Sequence, residues 1–256
     1  MPIILTKMSI PVMISTMGIG MLRTVLIFVL TVALSLPLGI PIAFGRMSKW
    51  APFRGLRERE AVRTWLDIGK NRQFRRFVGA LIDLRPIQLL TKVYIAVMRG
   101  TPLMLQLIAW YFGPFYLFGW SIKGYRLTAI IIAFVVNYAA YFAEIYRGGI
   151  ESMPLGQYEA AEVLGYTKGQ TFRKIILPQV AKRILPSVTN EVITLVKDTS
   201  LAFTLAYQEV FSLAKQISAS QTSFMPFVVA GVFYFVANYA VAFGMEYIEK
   251  KMSYYR

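Results

Sequence analysis

The sequence contains neither cysteine nor histidine among its 256 residues. Without cysteine it can form neither a disulfide framework nor a thiolate metal site, and without histidine it lacks the commonest general base and metal ligand. Charge is also scarce, because Asp, Glu, Lys and Arg make up 16% of the chain, whereas soluble domains carry about a quarter. This deficit indicates that much of the surface faces something other than water.

In place of charge, the sequence has long apolar runs. Three stretches contain no charged residue at all: 22 residues follow Arg23, 23 follow Arg99 and 30 follow Lys215. A helix needs about 20 apolar residues to cross the hydrocarbon core of a bilayer. We therefore predict an all-α integral membrane protein that forms a single membrane domain over residues 1–256.

Two further segments carry charge within apolar runs and complete a prediction of about five transmembrane helices. The second of these contains Glu191, Lys197 and Asp198, so hydropathy alone would miss it. The apolar run 8–22 is expected to be an interfacial segment leading into the first span rather than a cleaved signal. The predicted spans cover about 21–45, 92–118, 126–147, 184–207 and 224–247.

The distribution of basic residues orients these spans. The loop 46–92 holds 12 Lys and Arg and the loop 147–183 holds 6, whereas the stretch from 199 to the last span has only Lys215. Because basic loops stay in the cytoplasm, we expect the N-terminus outside and the C-terminus inside. The net charge of +15 would then meet an anionic inner leaflet or a cytoplasmic partner. No nucleic acid is needed to explain it.

Part of the basic cytoplasmic loop 46–92 has a helical period. Its apolar residues fall on one face, and three arginines gather near its start: Phe74, Phe77, Val78, Leu81 and Ile82 form the face, with Arg72, Arg75 and Arg76 before it. Such a segment would lie on the membrane surface. A solvated linker is the alternative interpretation.

The cytoplasmic loop 148–182 is the most informative segment. Pro154 can begin a helix, strong helix formers follow it, and Gly165 permits a chain reversal that a residue with a Cβ would resist. A second short helix, ended by Pro178, is predicted from three apolar residues: Phe172, Ile175 and Ile176. The pattern indicates a helix–turn–helix below the membrane, with Ala160 and Ala161 small enough to fit against another protein. An ordinary amphipathic loop is the alternative.

This loop resembles the signature loop of the permease subunits of bacterial ABC importers. The signature is Glu-Ala-Ala, three residues, Gly, nine residues and Ile-x-Leu-Pro. Every position is matched: Glu159, Ala160, Ala161, Gly165, Ile175, Leu177 and Pro178. The resemblance implies a type I ABC importer transmembrane domain over about 18–250. In that fold this loop is the coupling helix that docks into a groove of a cytoplasmic ATPase.

Further motifs resemble the polar amino acid branch of that family. They are Arg99-Gly100-Thr101-Pro102 with Leu105-Gln106, Ala143-Glu144 with Arg147-Gly148-Gly149-Ile150, and Leu195 with Lys197-Asp198-Thr199-Ser200-Leu201. The resemblance covers about 18–48 and 90–248. It implies uptake of basic amino acids, glutamine, glutamate or related solutes across the bacterial cytoplasmic membrane. The basic insert 53–85 departs from the branch, and its role stays open.

The resemblance also implies partners. The sequence has no Gly-x-x-x-x-Gly-Lys-Ser/Thr phosphate loop, so we expect a pore subunit that is not an enzyme and holds no cofactor. ATP and Mg would be bound by a partner ATPase dimer. A second permease subunit, identical or homologous, and an extracytoplasmic solute-binding protein would complete the importer within the membrane lipid. A scaffold or sensor that docks the ATPase without transport, and a channel, are the alternatives.

Polar residues within the spans are candidates for the solute path, because intramembrane charges are costly unless they are paired or face water. The fourth span supplies acceptors for an ammonium and donors for a carboxylate: Asn190, Glu191, Thr194, Lys197, Asp198, Thr199 and Ser200. On the third span, Asn137, Tyr141 and Glu144 form a similar polar stripe, and both stripes should face the bundle interior or a partner subunit rather than lipid. The competing interpretation is that the charges pair with each other and hold helices together. We favour it for Glu144 and Arg147.

Overall fold

The computed structural model describes residues 9–53 and 82–252, together with the single residues 55, 73 and 78. Every regular element in these ranges is helical, which confirms the predicted fold class. The elements are α1 (Ile10–Met47), α2 (Pro86–Gly100), α3 (Leu103–Phe118), α4 (Arg126–Glu151), α5 (Leu155–Val163), α6 (Lys168–Gln170), a π-helix (Thr171–Ile176), α7 (Leu177–Asp198), a 3-10 helix (Thr199–Leu205), α8 (Val210–Gln221) and α9 (Met225–Met252). The amphipathic segment predicted around 72–82 lies largely outside the described residues.

Helix α1 is longer than predicted. It begins at Ile10 and runs without interruption through Pro37 and Pro41 to Met47. Pro11 lies in its first turn, where the missing N–H has no intrahelical partner to lose. The 38 residues span about 57 Å at the helical rise, more than the roughly 30 Å hydrocarbon core. No break separates the predicted interfacial segment from the first span.

The centre of the molecule is the contact between α1 and α4. Along α1, small buried residues recur at every fourth position: Thr31, Ser35, Gly39 and Ala43. A Cβ at Gly39 would lie 3.0 Å from the Phe142 Cβ and 3.2 Å from the Ala143 backbone nitrogen. Small residues of this kind allow two membrane helices to pack backbone against backbone. The core around this contact contains Ile27, Phe134 and Leu195, each without exposed surface.

The predicted second span is not one continuous helix. Helices α2 and α3 meet at an angle of 110° with only Thr101 and Pro102 between them. Thr101 is extended, with φ −117° and ψ 146°, because the ring of a following proline disfavours helical backbone. Hydropathy registers the apolar composition of the whole stretch but not the change of direction within it.

Within the described ranges, α1, α4 and α9 are each long and apolar enough to cross a membrane, and the bent pair α2–α3 would make a fourth crossing. The chain is therefore a multi-pass membrane protein. Helix α7, with 22 residues, is long enough to cross a membrane. Because it carries several charges, hydropathy alone does not identify it as a span, as predicted from the sequence. Five crossings with an external N-terminus remain a prediction.

A buried carboxylate, that of Glu209, joins helices in the half of the bundle where α1 begins. Glu209 has no exposed surface and caps α8 by accepting hydrogen bonds from the backbone N–H groups of Phe211 and Ser212, at 2.6 Å each. The hydroxyl of Tyr234 on α9 donates to it at 2.8 Å. A Cβ at Gly20 of α1 would lie 3.1 Å from the Val210 nitrogen. This carboxylate therefore joins α8 to α9, beside the point where α1 approaches α8 most closely.

Candidate functional site

The predicted coupling loop is a compact elbow between α4 and α7. Pro154 precedes α5 as its N-cap with extended backbone (φ −59°, ψ 137°), which confirms the predicted helix start. A proline suits this position because its ring fixes φ and the first N–H groups of a helix have no intrahelical partner. We use the name "elbow" for residues 152–184 from here on.

Gly165 ends α5 in the left-handed conformation, with φ +77°. The N–H of Tyr166 donates to the Ala161 carbonyl at 3.0 Å and that of Gly165 donates to the Glu162 carbonyl at 2.9 Å. This is the Schellman arrangement, which satisfies carbonyls that the helix leaves unpaired. The reversal predicted at Gly165 is confirmed, and a side chain there would strain the backbone.

The second half of the elbow differs from the prediction. A capping box between Thr167 and Gln170 begins the helical segment. It continues as the π-helix and passes directly into α7, so Pro178 does not end it. Instead, Pro178 occupies the first turn of α7. The predicted termination was wrong because the change from π- to α-helix places the proline where its missing N–H is tolerated.

An apolar cluster fixes the elbow to the end of the bundle. Met153, Ile176 and Val180 are buried together, and Tyr158 of α5 packs against them. The Arg183 guanidinium donates to the Ser152 carbonyl at 2.6 Å and to its hydroxyl at 3.1 Å. Ile175, also in the signature, is half-buried at this cluster. Helix α5 therefore packs against a cluster that also contains residues of α4 and α7, such as Ile150 and Val180. Displacement of α5 would be transmitted to both helices.

The most exposed apolar side chains of the elbow lie at the two ends of α5. Val163 is 87% exposed, and Leu155 and Leu164 are exposed to a similar degree. Glu159 and Ala160 are also exposed. Ala161 is only 1% exposed, so the expectation that both alanines fit against another protein was wrong for Ala161. It lies on the inner side of α5 because consecutive helical residues point about 100° apart.

The charged residues at the end of α4 pair within their own helix. The Arg147 Nε donates to Glu144 at 3.0 Å, and its terminal nitrogens form ion pairs with Glu144 and Glu151. The predicted pairing of Glu144 with Arg147 is confirmed. Because all three residues belong to α4, these bonds stiffen one helix and do not join two.

The break between α2 and α3 is held by a buried amide network. The Gln106 Nε2 donates to the Met98 carbonyl at 2.9 Å and to the Thr101 hydroxyl at 2.8 Å. The Asn137 Nδ2 of α4 donates to the same Met98 carbonyl at 2.9 Å and to the Gln106 Oε1 at 3.0 Å. A helix broken inside a membrane must satisfy its freed backbone groups internally. Asn137 was predicted to lie on a polar stripe that faces the bundle interior or a partner subunit, and it is buried in the interior, where it holds the break.

Beside this break lies a group of charged and aromatic side chains. The Tyr138 hydroxyl donates to the Asp198 Oδ2 at 2.7 Å. The Arg99 guanidinium lies 5.2 Å from the centre of the Tyr141 ring, and that ring lies 6.0 Å from the Tyr138 ring. Glu191 lies seven residues before Asp198, on the same face of α7. We call Arg99, Tyr138, Tyr141, Glu191 and Asp198 the break cluster. It combines one cation, two carboxylates and aromatic faces.

The predicted solute residues of α7 divide into two groups. Glu191 and Asp198, seven residues apart on one helix face, belong to the break cluster. In α7, the Thr194 hydroxyl donates to the Asn190 carbonyl at 2.9 Å, and the side chains of Asn190 and Lys197 are exposed. Thr199 and Ser200 begin the 3-10 helix, and their hydroxyls donate to carbonyls at the end of α7: Thr199 to Val196 at 2.6 Å and Ser200 to Lys197 at 2.7 Å. Thr199 has no exposed surface, so it cannot contact a solute in this conformation.

Sequence reasoning missed Arg99, Gln106 and Tyr138 as members of a site. A signal was present, because Gly100, Thr101 and Pro102 interrupt an apolar run and a broken helix needs polar partners. In the described ranges, no group of three acidic side chains is placed to hold a metal ion.

Comparisons with known proteins agree with this architecture. Residues 77–254 match the sequence family described as binding-protein-dependent transport system inner membrane component. The arginine transport system permease protein ArtQ of Bacillus subtilis (strain 168) is 36% identical over 169 residues, which are 66% of this chain and 76% of ArtQ. The putative glutamine transport system permease protein GlnP of Rickettsia bellii (strain RML369-C) is 36% identical over 186 residues, 70% of this chain and 84% of GlnP. A solved amino acid ABC transporter, crystallised with histidines, has a chain with 28% identity and a TM-score of 0.73, and the match covers 93% of this chain and 94% of that one.

Proposed function

Because the chain belongs to the family of binding-protein-dependent transport system inner membrane components, we propose that it forms part of the pore of an ATP-driven importer of polar amino acids. Its place would be the bacterial cytoplasmic membrane, with the elbow on the cytoplasmic side. The chain itself would hydrolyse nothing, since ATP and Mg would be bound by a separate ATPase dimer.

The observation that carries the proposal is the elbow. It presents exposed apolar residues at the ends of α5, which a groove on a partner could bury, and its inner side is packed on α4 and α7. Exposed apolar groups on the aqueous side of a membrane protein favour a protein partner. An ATPase that grips α5 could thereby move two helices of the bundle at once. ATP can drive this only by favouring one of two packings of those helices.

A solute path beside the break cluster fits the chemistry of an amino acid. Arg99 is exposed at the end of α2 and could receive a carboxylate. Glu191 and Asp198 could receive an ammonium. Relatives named for arginine and glutamine transport suggest a polar amino acid. A second permease subunit, identical or homologous, would close the path from the other side, and an extracytoplasmic binding protein would deliver the solute.

Reconstituted vesicles test the proposal. The chain, purified with the ATPase and permease subunits it assembles with, should accumulate labelled amino acid only when ATP is inside and the binding protein is outside. ATP hydrolysis stimulated by binding protein without uptake would indicate a scaffold or sensor, and uptake without ATP would indicate a channel. Either outcome would refute the importer.

The docking role is tested separately with Val163→Asp, which puts a charge at the most exposed apolar position of the elbow. We expect the ATPase to dissociate or uptake to fall at least tenfold while the chain inserts normally. Lys251→Gln, in the last turn of α9, lowers the net charge by the same one unit and is the control for the change in charge. Full uptake and full ATPase retention in Val163→Asp would contradict docking through α5.

A further inference from the structure

A basic pocket lies where the end of α1 meets the start of α2. Its volume is about 430 Å³, and its described lining includes Arg46, Arg85 and Lys92 together with Asp83 and Leu89. Neither the elbow nor the break cluster contributes to it. We propose that this pocket binds the headgroup of an anionic phospholipid.

The charge of the lining favours an anion. Three cations face one carboxylate, so the described lining residues carry a net charge of +2. Arg46 and Arg85 are half-buried, which restricts their side chains and reduces the entropy lost on binding. Arginine is suited to phosphate because its planar fork can donate two parallel hydrogen bonds to two oxygens. A phosphodiester therefore matches the pocket in charge and in hydrogen-bonding pattern.

The two helices are brought together by a glycine. A Cβ on Gly45 would lie 2.8 Å from the Thr91 Cγ2 and 3.4 Å from the Ile87 Cγ2, so only a hydrogen atom fits at this crossing. The contact places Arg46, in the last turn of α1, against the first turns of α2. Since Arg85 immediately precedes α2 at Pro86, three cations from two separate segments converge on one pocket.

The surface beside the pocket distinguishes a lipid from a soluble anion. Leu89, Val93 and Val97 are exposed at four-residue spacing, so they form one apolar face that starts at the pocket and continues along α2. Trp50, close after the end of α1, is also exposed, and tryptophan is enriched at the level of lipid headgroups. A phosphate in the pocket would have its acyl chains along this apolar face. An inorganic anion would use none of it.

Lipid binding to the purified complex tests this site. The full chain, with the subunits it purifies with, is titrated in detergent with phosphatidylglycerol, phosphatidylcholine and inorganic phosphate, and bound lipid is counted by native mass spectrometry. We expect saturable binding of phosphatidylglycerol alone. The triple variant Arg46→Gln, Arg85→Gln, Lys92→Gln should weaken it about a hundredfold, because each basic group contributes about fivefold near an anionic surface.

Two further variants make the result decisive. The triple Lys123→Gln, Lys250→Gln, Lys251→Gln removes the same charge outside the pocket, the elbow and the break cluster, and it should leave the affinity unchanged. The triple Arg46→Lys, Arg85→Lys, Lys92→Arg keeps the charge but removes two arginine forks, so it should bind more weakly than the native chain and more tightly than the first triple. A native unfolding midpoint for the first triple shows that its loss of binding does not come from misfolding. Equal loss in the control triple, unchanged affinity in the first triple, or competition by millimolar phosphate would each overturn the proposal.

Discussion

The close packing of Gly149 against α7 gives the sharpest test of how the elbow is mounted. A Cβ on Gly149 would lie 2.2 Å from the Ile184 Cγ2 and 3.2 Å from the Val180 Cγ1. The adjacent Gly148, in the same helix α4, has nothing within 4 Å of the equivalent position. The two residues thus differ in tertiary contact while sharing almost the same helical environment.

The expected magnitudes follow from two opposing effects. Replacing a helical glycine by alanine stabilises the helix by up to about 1 kcal/mol. At Gly149 this gain is opposed by overpacking, which typically costs about 1–3 kcal/mol. The Ile184 methyl group cannot rotate away freely because its side chain is β-branched. We therefore expect Gly149→Ala to be less stable than Gly148→Ala by about 1–3 kcal/mol.

Thermal unfolding of the purified chain in detergent measures this difference. By the scaling of soluble domains of similar size, about 2–4 °C separate the midpoints for each kcal/mol. Uptake should also fall in Gly149→Ala and not in Gly148→Ala, because the clash pushes α7 away from α4 where the elbow begins.

A second substitution tests the cause. Ile184→Ala removes the methyl group that the new Cβ would strike, so Gly149→Ala should cost less in that background than in the native chain. The reasoning is refuted if the two glycine variants unfold at the same temperature, or if the cost at Gly149 is unchanged when Ile184 is truncated.

Three other predictions concern the elbow and the break. Gly165→Ala should destabilise α5 by about 1–2 kcal/mol, because alanine is strained in the left-handed conformation, and should lower uptake. The control Gly169→Ala, at a position with ordinary backbone and open space, should do neither. Equal uptake by the two variants would contradict the role of backbone strain. Gln106→Leu should leave donors and acceptors of the buried network unpaired and cost about 1–3 kcal/mol, seen as a lower unfolding midpoint; an unchanged midpoint would show that Asn137 alone holds the break. Asp198→Asn should lower uptake at least tenfold with normal assembly, and unaffected uptake would return Asp198 to a structural role with Tyr138.

Local chemistry made several features of the elbow predictable. Pro154 before a run of helix formers fixes where α5 begins, and a glycine eleven residues later gives it a place to reverse. These depend on the backbone preferences of single residues, so they can be read without knowing what lies nearby. Pro178 misled the prediction because a proline is compatible with a helix end and with a first turn. Only the register set by the preceding π-helix distinguishes the two.

The break cluster could not be assembled from the sequence in the same way. Tyr138 and Asp198 are 60 positions apart in the chain, and nothing local indicates that their side chains form a hydrogen bond. Helical spacing with Tyr141 placed Asn137 on an inward-facing polar stripe but did not identify its partners. Its buried bond to the Met98 carbonyl depends on the 110° turn between α2 and α3. That turn decides which carbonyls need partners.

By itself the sequence determined that this is a helical membrane protein with a short helical elbow between two of its helices, because hydrophobic length, helix signals and the spacing of a short motif are local properties of a chain. Tertiary structure alone decided which polar groups meet in the break cluster and which are buried in the core. It also decided that Gly39, Gly45 and Gly149 are contact points and that Ala161 is covered. These outcomes follow from how helices cross, and crossing depends on side chains from distant segments that meet only in the folded protein.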